Sequence, residues 1–323
     1  MREELSLLRL ALRSPGTALK IAEGMSEARG ALLVKLIEVL EPEVSKPWHS
    51  WTDSEFAHYV YSVLVWEKAA EWREDGSLRL VRRPEPSRIR LPEAADFLRV
   101  VTKLVEKRLI DALEGRRKYF TDREQLLLYA CFLDNLGYNW WRRVALSLLL
   151  PQELRAREDA VIADVGAGMG LSTVALLELT RATVIAVDPL EENLEFVKDY
   201  AGMKRLAHRV RVQKGYAEDF QLDEPADAAV MINVLHWCNS PQPAIRNVAA
   251  NVKPGGWLAI AQGVRDEKSA YIGAIPAYLL GAPRLPPTRS ELYRMIREEG
   301  LKVEKSYLAG ADLILARVPP RGS

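Results

Sequence analysis

The short strand-like run Val161-Ile162-Ala163-Asp164-Val165 passes without a linker into Gly166-Ala167-Gly168-Met169-Gly170, and then into a helical stretch reaching Leu179. Strand, glycine-rich turn and helix in immediate succession open a βαβ unit. The glycines allow a tight turn and let the backbone approach a ligand with no Cβ in the way. The helix start then offers unpaired N–H groups to an anionic group. No other feature of the chain limits its fold as strongly.

From residue 160 onward strands and helices alternate. A second strand at 183–187 ends in Asp188-Pro189, and a helix follows at 191–200. Further strands fall at 210–212, 228–232 and 257–261. Apolar strands separated by helices predict a parallel sheet covered on both faces. After Thr288 comes a helix to Glu299, then 301–307, a turn at Gly310 and 313–318. That closing pair is a hairpin, so the last strand enters antiparallel. The expectation is an α/β, Rossmann-like, doubly wound sheet of seven strands with an antiparallel last strand.

The first half reads differently. Helical spacing covers 5–12 and 26–40, and Thr52 with Glu55 fits a capping box opening a helix to about residue 72. Asp75-Gly76 reads as a tight turn, 77–82 as a strand, and 88–91 as its returning partner. Helices at 92–113 and 121–136 follow. Helices plus a small ribbon give a mainly α, winged-helix-like domain, so the expected division is 1–150 and 151–320. Arg79, Arg82, Arg83, Arg88 and Arg90 decorate the ribbon. They serve either as the solvated face of a dimerisation or lid module, or as a nucleic-acid contact. Tyr138-Asn139-Trp140-Trp141 reads either as core or as a wall of the ligand cleft. The segment 263–287, with Tyr271, Ile275, Tyr278 and Leu279, reads either as core or as a cover for a pocket.

Composition narrows the function classes. Lys+Arg (45) and Asp+Glu (44) nearly cancel to +1, so overall charge gives no reason for a polyanionic partner. Cys131 and Cys238 are too few for a disulfide framework or a four-ligand zinc site, and no metal centre is expected. No apolar run reaches the roughly 20 residues that span a bilayer, and Met1-Arg2-Glu3-Glu4 does not open a signal peptide. The reading is a cytoplasmic protein, with a homodimer compatible with the N-terminal helices.

Two acids sharpen the turn. Asp164, just before the glycines, would repel a pyrophosphate and welcome an α-ammonium group. Asp188, 18 residues past Gly170 at a strand end, is placed to accept both hydroxyls of a ribose. NAD would use Asp188 equally well, so that residue alone does not discriminate.

Residues 160–318 resemble the class I S-adenosylmethionine (SAM)-dependent methyltransferases. The resemblance covers Asp164 through Gly170, Val187-Asp188-Pro189, Gly215-Tyr216-Ala217-Glu218-Asp219, Asn233-Val234-Leu235-His236-Trp237 and Val252-Lys253-Pro254-Gly255-Gly256-Trp257. It implies that Gly166, Ala167 and Gly168 pass against the methionine portion of SAM and that Asp188, followed by Pro189, holds the ribose. It also implies that the carbonyl of Asn233 lies near the methionine ammonium. Adenine would meet residues 216–218. Tyr216 stands where such proteins often carry Asp, which leaves the contact to Glu218 or to the Ala217 N–H. His236 is implied either as general base, as in O-methyltransferases with an N-terminal winged-helix domain, or as pocket wall. No Asp/Asn-Pro-Pro-Tyr segment follows the fourth strand, and neither cysteine has a Pro-Cys or Thr-Cys context. The implied function is methyl transfer from SAM to a small molecule. The alternatives are an RNA or protein methyltransferase recruited through the first domain, and a SAM-sensing DNA-binding regulator without turnover.

Overall fold

The computed structural model describes residues 15–84, 92–116, 138–267, 270–308 and 311–320. The helices expected at 5–12 and 121–136, the strand expected at 88–91, and Cys131 lie outside them. In chain order the helices are α1 (Pro15–Leu40), α2 (Ser54–Trp66), α3 (Pro92–Leu113), α4 (Tyr138–Leu149), α5 (Gln152–Ala156), α6 (Leu171–Leu179), α7 (Glu191–Met203), α8 (Pro241–Ala250), α9 (Tyr271–Leu279) and α10 (Arg289–Glu298). The strands are β1 (Ala70–Trp72), β2 (Leu78–Leu80), β3 (Val161–Val165), β4 (Thr183–Asp188), β5 (Val210–Lys214), β6 (Ala226–Ile232), β7 (Val252–Gln262), β8 (Lys302–Leu308) and β9 (Asp312–Arg317). No described helix is long and apolar enough to cross a membrane. The elements form two compact units. One holds α1–α3, the β1–β2 ribbon and α9; the other holds α4–α8, α10 and β3–β9.

In the helical unit α1 starts at Pro15, well before the expected residue 26. Proline at a first helical turn has its φ already set and loses no hydrogen bond. Ala28, Leu32, Leu36 and Leu40 form a buried stripe that shares one core with Val101, Val105 and Leu109 of α3. Such packing, rather than intrinsic propensity, holds most protein helices. Helix α2 is capped by Asp53, not Thr52: the Asp53 carboxylate accepts the Phe56 N–H at 3.1 Å. It ends at Trp66 rather than near 72, because Lys68 turns left-handed (φ 56°) and releases the chain. The freed residues Ala70–Trp72 become β1 and pair antiparallel with Leu78–Leu80. The ribbon therefore folds backward across Asp75-Gly76, where Asp75 accepts the Ser77 N–H at 2.9 Å. Tyr271, Ile275 and Tyr278 of α9 lie in this unit's core, with the Tyr278 ring stacked on Phe56 at 4.2 Å.

The second unit is built on a seven-stranded sheet in the order β5-β4-β3-β6-β7-β9-β8. Strands β3 to β7 are parallel, and β9 inserts antiparallel between β7 and β8, as the closing hairpin implies. β7 begins at Val252, five residues before the expected start, because Val252 pairs with Ala226 ahead of a bulge. Alternate residues face opposite layers. Ala163, Val165, Ala229 and Met231 join the core that contains Ile245 and Val248 of α8 and Leu292 and Ile296 of α10. Ile162, Ala228 and Val230 join the core containing Leu146 and Leu149 of α4 and Leu176 of α6. The chain winds from β3 outward to β5, then returns to β6 on the other side of β3. That reversal opens a crevice at the carboxyl ends of the strands.

Asp227 fastens the opposite, amino edge of the sheet. Its carboxylate accepts the Val161 N–H at 2.9 Å, and Lys253 Nζ and Arg157 Nη1 reach it at 3.0 and 3.2 Å. Burial pushes this carboxyl up, but the Val161 N–H, the ammonium and the guanidinium outweigh it and hold it below its usual range. A lowered folded pKa stabilises above the unfolded value and is lost as pH falls through the folded one. Asp227→Asn is expected to cost about 1–3 kcal/mol at pH 7. In urea unfolding, its difference from wild type should close below about pH 4.

Candidate functional site

The turn after β3 is shaped by three glycines with positive φ, Gly166 (71°), Gly168 (53°) and Gly170 (84°). The N–H groups of Gly166 and Ala167 both donate to the Val187 carbonyl of β4, at 2.8 and 3.0 Å. A Cβ on Gly166 would stand 2.7 Å from both methyls of Val234, which follows β6. One on Gly170 would stand 3.0 Å from the Val197 backbone of α7. A Cβ on Gly168 would meet nothing within 4 Å, so the middle of the turn borders open space.

Two carboxylates flank this turn. Asp164 lies on the sheet face that α4 and α6 cover and is almost fully buried (1% exposed). Its Oδ2 accepts the hydroxyls of Ser172 and Thr173, at 2.8 and 2.6 Å, in the first turn of α6. Its Oδ1 is buried and has no hydrogen-bond partner among the described residues. Burial raises its pKa to about 6, against the pull of those two hydroxyls and of the buried Arg142 of α4. Asp188, at the end of β4, accepts the Gly168 N–H at 2.8 Å on one oxygen. The other oxygen takes the Leu190 N–H at 3.0 Å and the Asn193 side chain at 2.9 Å. Burial raises its pKa as well, against those three donors. An ionised carboxylate has room for about four donors, so one further hydroxyl can be accommodated.

Beyond β5 the loop 215–219 is anchored by Gly215 donating to the Asp188 carbonyl at 3.2 Å. Among the described residues the N–H of Ala217 has no partner, while its carbonyl accepts from Asn247 at 3.1 Å. Glu218 accepts the Ser240 N–H at 3.1 Å, so its carboxylate is already engaged. Two large side chains at neighbouring strand ends, Leu190 (41%) and Tyr216 (56%), stay exposed. Pro189 lies between Asp188 and Leu190, half-buried.

After β6, Asn233 takes a left-handed backbone (φ 54°) and its side-chain oxygen accepts the Gly263 N–H at 2.8 Å. A non-glycine residue held there marks a position that the surroundings constrain. His236 is buried, and its Nδ1 lies 3.3 Å from Nε2 of Gln262, at the end of β7. Burial alone lowers the His236 pKa to about 4. Cys238, a buried thiol, points at the Val234 carbonyl at 3.5 Å.

The structure thus gathers Asp164, Gly166, Ala167, Gly168, Asp188, Pro189, Ala217, Glu218, Asn233 and His236 along the carboxyl edge of β3 to β6. Sequence reasoning missed Arg142, Ser172, Thr173, Asn193 and Gln262. A polar Gln262 closing the apolar run 257–261 was a readable signal; the others needed the fold. Trp141, beside Arg142, packs against the core under the sheet.

Residues 163–260 match the methyltransferase domain family, and this segment is a methyltransferase domain. An uncharacterized methyltransferase of Mycobacterium tuberculosis is 33% identical over 129 residues, 40% of this chain and 48% of that protein. The chain thus spans about half the length of this curated relative. The ubiquinone biosynthesis O-methyltransferase of Coxiella burnetii is 29% identical over 165 residues, 48% of this chain and 67% of that protein. An O-methyltransferase family 2 protein from Planctomyces limnophilus, solved with apigenin, aligns with TM-score 0.61 at 16% identity. That alignment covers 94% of this chain and 96% of the other, and shows a shared fold.

Gly166→Ala is expected to destabilise by about 2–3 kcal/mol, combining a forced positive φ with the Val234 clash. Adding Val234→Ala removes the clash, so the double variant should unfold at higher urea than the sum of the single losses requires.

Proposed function

We propose that the α/β unit binds SAM and transfers its methyl group to a small-molecule acceptor. The observation that carries this reading is Asp164, a buried carboxylate with one oxygen unsatisfied, beside a turn whose centre opens to space. A buried acid in that state is costly unless a cation meets it. The methionine ammonium of SAM is such a cation, and a dinucleotide pyrophosphate is the opposite. The surrounding donor set fits the rest of the molecule. Gly166, Ala167 and Gly168 line the methionine portion. Asp188 offers its remaining acceptor capacity to the ribose, with Pro189 shaping the turn beside it. The Ala217 N–H meets an adenine ring nitrogen between Leu190 and Tyr216. Glu218, tied to Ser240, steadies this loop instead of replacing the usual Asp. The Asn233 carbonyl faces the ammonium.

Bound SAM supplies a methyl group already activated on a sulfonium. The protein's own contribution is then to hold the acceptor in line and keep water out. O-methylation with His236 as general base is the form that the resemblance suggests. It would need a ring nitrogen open to the acceptor and a partner for the imidazolium, whereas burial lowers the pKa of this ring. A small-molecule acceptor agrees with the relatives named for ubiquinone biosynthesis and solved with apigenin. Recruitment of RNA or DNA by the ribbon is less well supported, since Arg79 and Arg83 are ion-paired with Glu71 and Glu41.

Calorimetric titration tests this. SAM and its demethylated product are expected to bind and NAD is not; a response to NAD alone sinks the reading. Asp188→Ala should weaken SAM about tenfold or more. A cationic ligand prefers ionised Asp164, so SAM affinity should rise between pH 5 and 7, through a pKa of about 6. Asp164→Asn should flatten that rise. The same raised pKa means that the ligand-free protein loses stability as pH climbs through it. Asp164→Asn should therefore match or exceed wild-type stability at pH 7 while binding SAM more weakly.

A further inference from the structure

Three bonds hold the Gln262 side chain and the ring beside it, and a fourth fixes the peptide next to them. Gln262 Oε1 accepts the Leu235 N–H at 3.1 Å, and its Nε2 donates to the Gly263 carbonyl at 2.9 Å. Asn233 Oδ1 accepts the Gly263 N–H at 2.8 Å, which holds that peptide in place. Turning the amide over would set NH₂ against N–H and oxygen against oxygen, so the backbone fixes its orientation. The bond to the ring is then determined: Nε2 of Gln262 can only donate to Nδ1 of His236, 3.3 Å away. A neutral imidazole that accepts on Nδ1 carries its proton on Nε2. Among the described residues, Nε2 has no hydrogen-bond partner in the protein.

We infer that Gln262 is a positioning residue that fixes His236 as the neutral Nε2–H tautomer. The ring presents a donor instead of a base, and the acceptor arrives as an oxygen acid already ionised, its anionic oxygen on that donor. The acceptor class is thus enols, acidic phenols or carboxylic acids. This substrate half rests on the methyltransferase reading; the tautomer does not. The acceptor's proton leaves to water before binding. Its electron pair then forms the bond to the methyl carbon while the C–S pair stays on sulfur, so cation and anion give neutral products. No proton remains for His236 to take. A base at this position would become a buried imidazolium that meets no carboxylate among the described residues, unlike the histidine of a hydrolase triad. The donor steadies an anion that methylation neutralises, so it acts on acceptor binding more than on the transfer step.

The direct test is a two-bond ¹H–¹⁵N correlation spectrum of the ¹⁵N-labelled 323-residue chain at pH 7. The chain has four histidines, and His236 is assigned from the peaks lost in His236→Gln. The expected result is an unprotonated Nδ1 and a protonated Nε2. The reverse tautomer, an averaged mixture or an imidazolium overturns the proposal. In Gln262→Glu a carboxylate can only accept, so the proton should move to Nδ1; if that variant misfolds, the wild-type spectrum still decides. A kinetic test uses any acceptor that wild type turns over. His236→Leu should raise its KM about tenfold with a smaller change in kcat, and His236→Gln, whose amide also donates, should recover most of that loss. A collapse of kcat in both variants marks a general base and overturns the donor role. Failure of SAM to bind would instead remove the methyltransferase reading and leave the tautomer result standing.

Discussion

The carboxyl edge of the sheet depends on one close approach: the backbone at Gly166 passes so near Val234 that no side chain fits between them. That contact brings the turn after β3 against the loop after β6, across the point where strand order reverses. The Val187 carbonyl, accepting two N–H groups of the same turn, ties in β4. Asp188 then stitches Gly168 to the start of α7. Three strand ends are thereby held in one arrangement before any ligand is present, which is the preorganisation that binding and transfer need.

The two edges of the sheet treat their acids oppositely. At the amino edge Asp227 has an ammonium and a guanidinium within 3.2 Å, and its carboxyl is pulled down. At the carboxyl edge the hydrogen bonds to Asp164 and Asp188 come from hydroxyls, amides and backbone N–H groups, and both carboxyls are pushed up by burial. The first arrangement stabilises the fold. The second leaves one oxygen of Asp164 without a hydrogen-bond partner among the described residues, a cost usual for functional sites. His236 follows the same logic with the sign reversed: burial keeps it neutral, and its Nδ1 lies 3.3 Å from Nε2 of Gln262.

Much of this was legible in the chain because the α/β half obeys local rules. The central strands are short apolar runs, the glycine turn 166–170 follows a strand directly, and the closing hairpin announces its antiparallel entry. The helical half was read less well where neighbours one residue apart compete. Asp53 took the cap that Thr52 seemed suited to, since only its carboxylate meets the Phe56 N–H. Lys68 ended α2 through a left-handed backbone that no residue type there foretells. The ribbon strand at 78–80 then paired with the residues this released. The start of α1 was missed because glycines that are poor in an isolated helix are tolerated beside a buried leucine stripe.

By itself the sequence determined the order of strands and helices in the second half, the glycine turn and the two acids beside it, because periodicity and turn chemistry act within a few residues. Only the tertiary structure decided that α9 packs into the helical core, that Ser172 and Thr173 cover one oxygen of Asp164 and leave the other bare, and that Gln262 Nε2 comes within 3.3 Å of Nδ1 on a histidine 26 residues earlier. Those outcomes depend on which distant groups share a desolvated space, where an unmet hydrogen bond costs most. Local spacing carries no record of that.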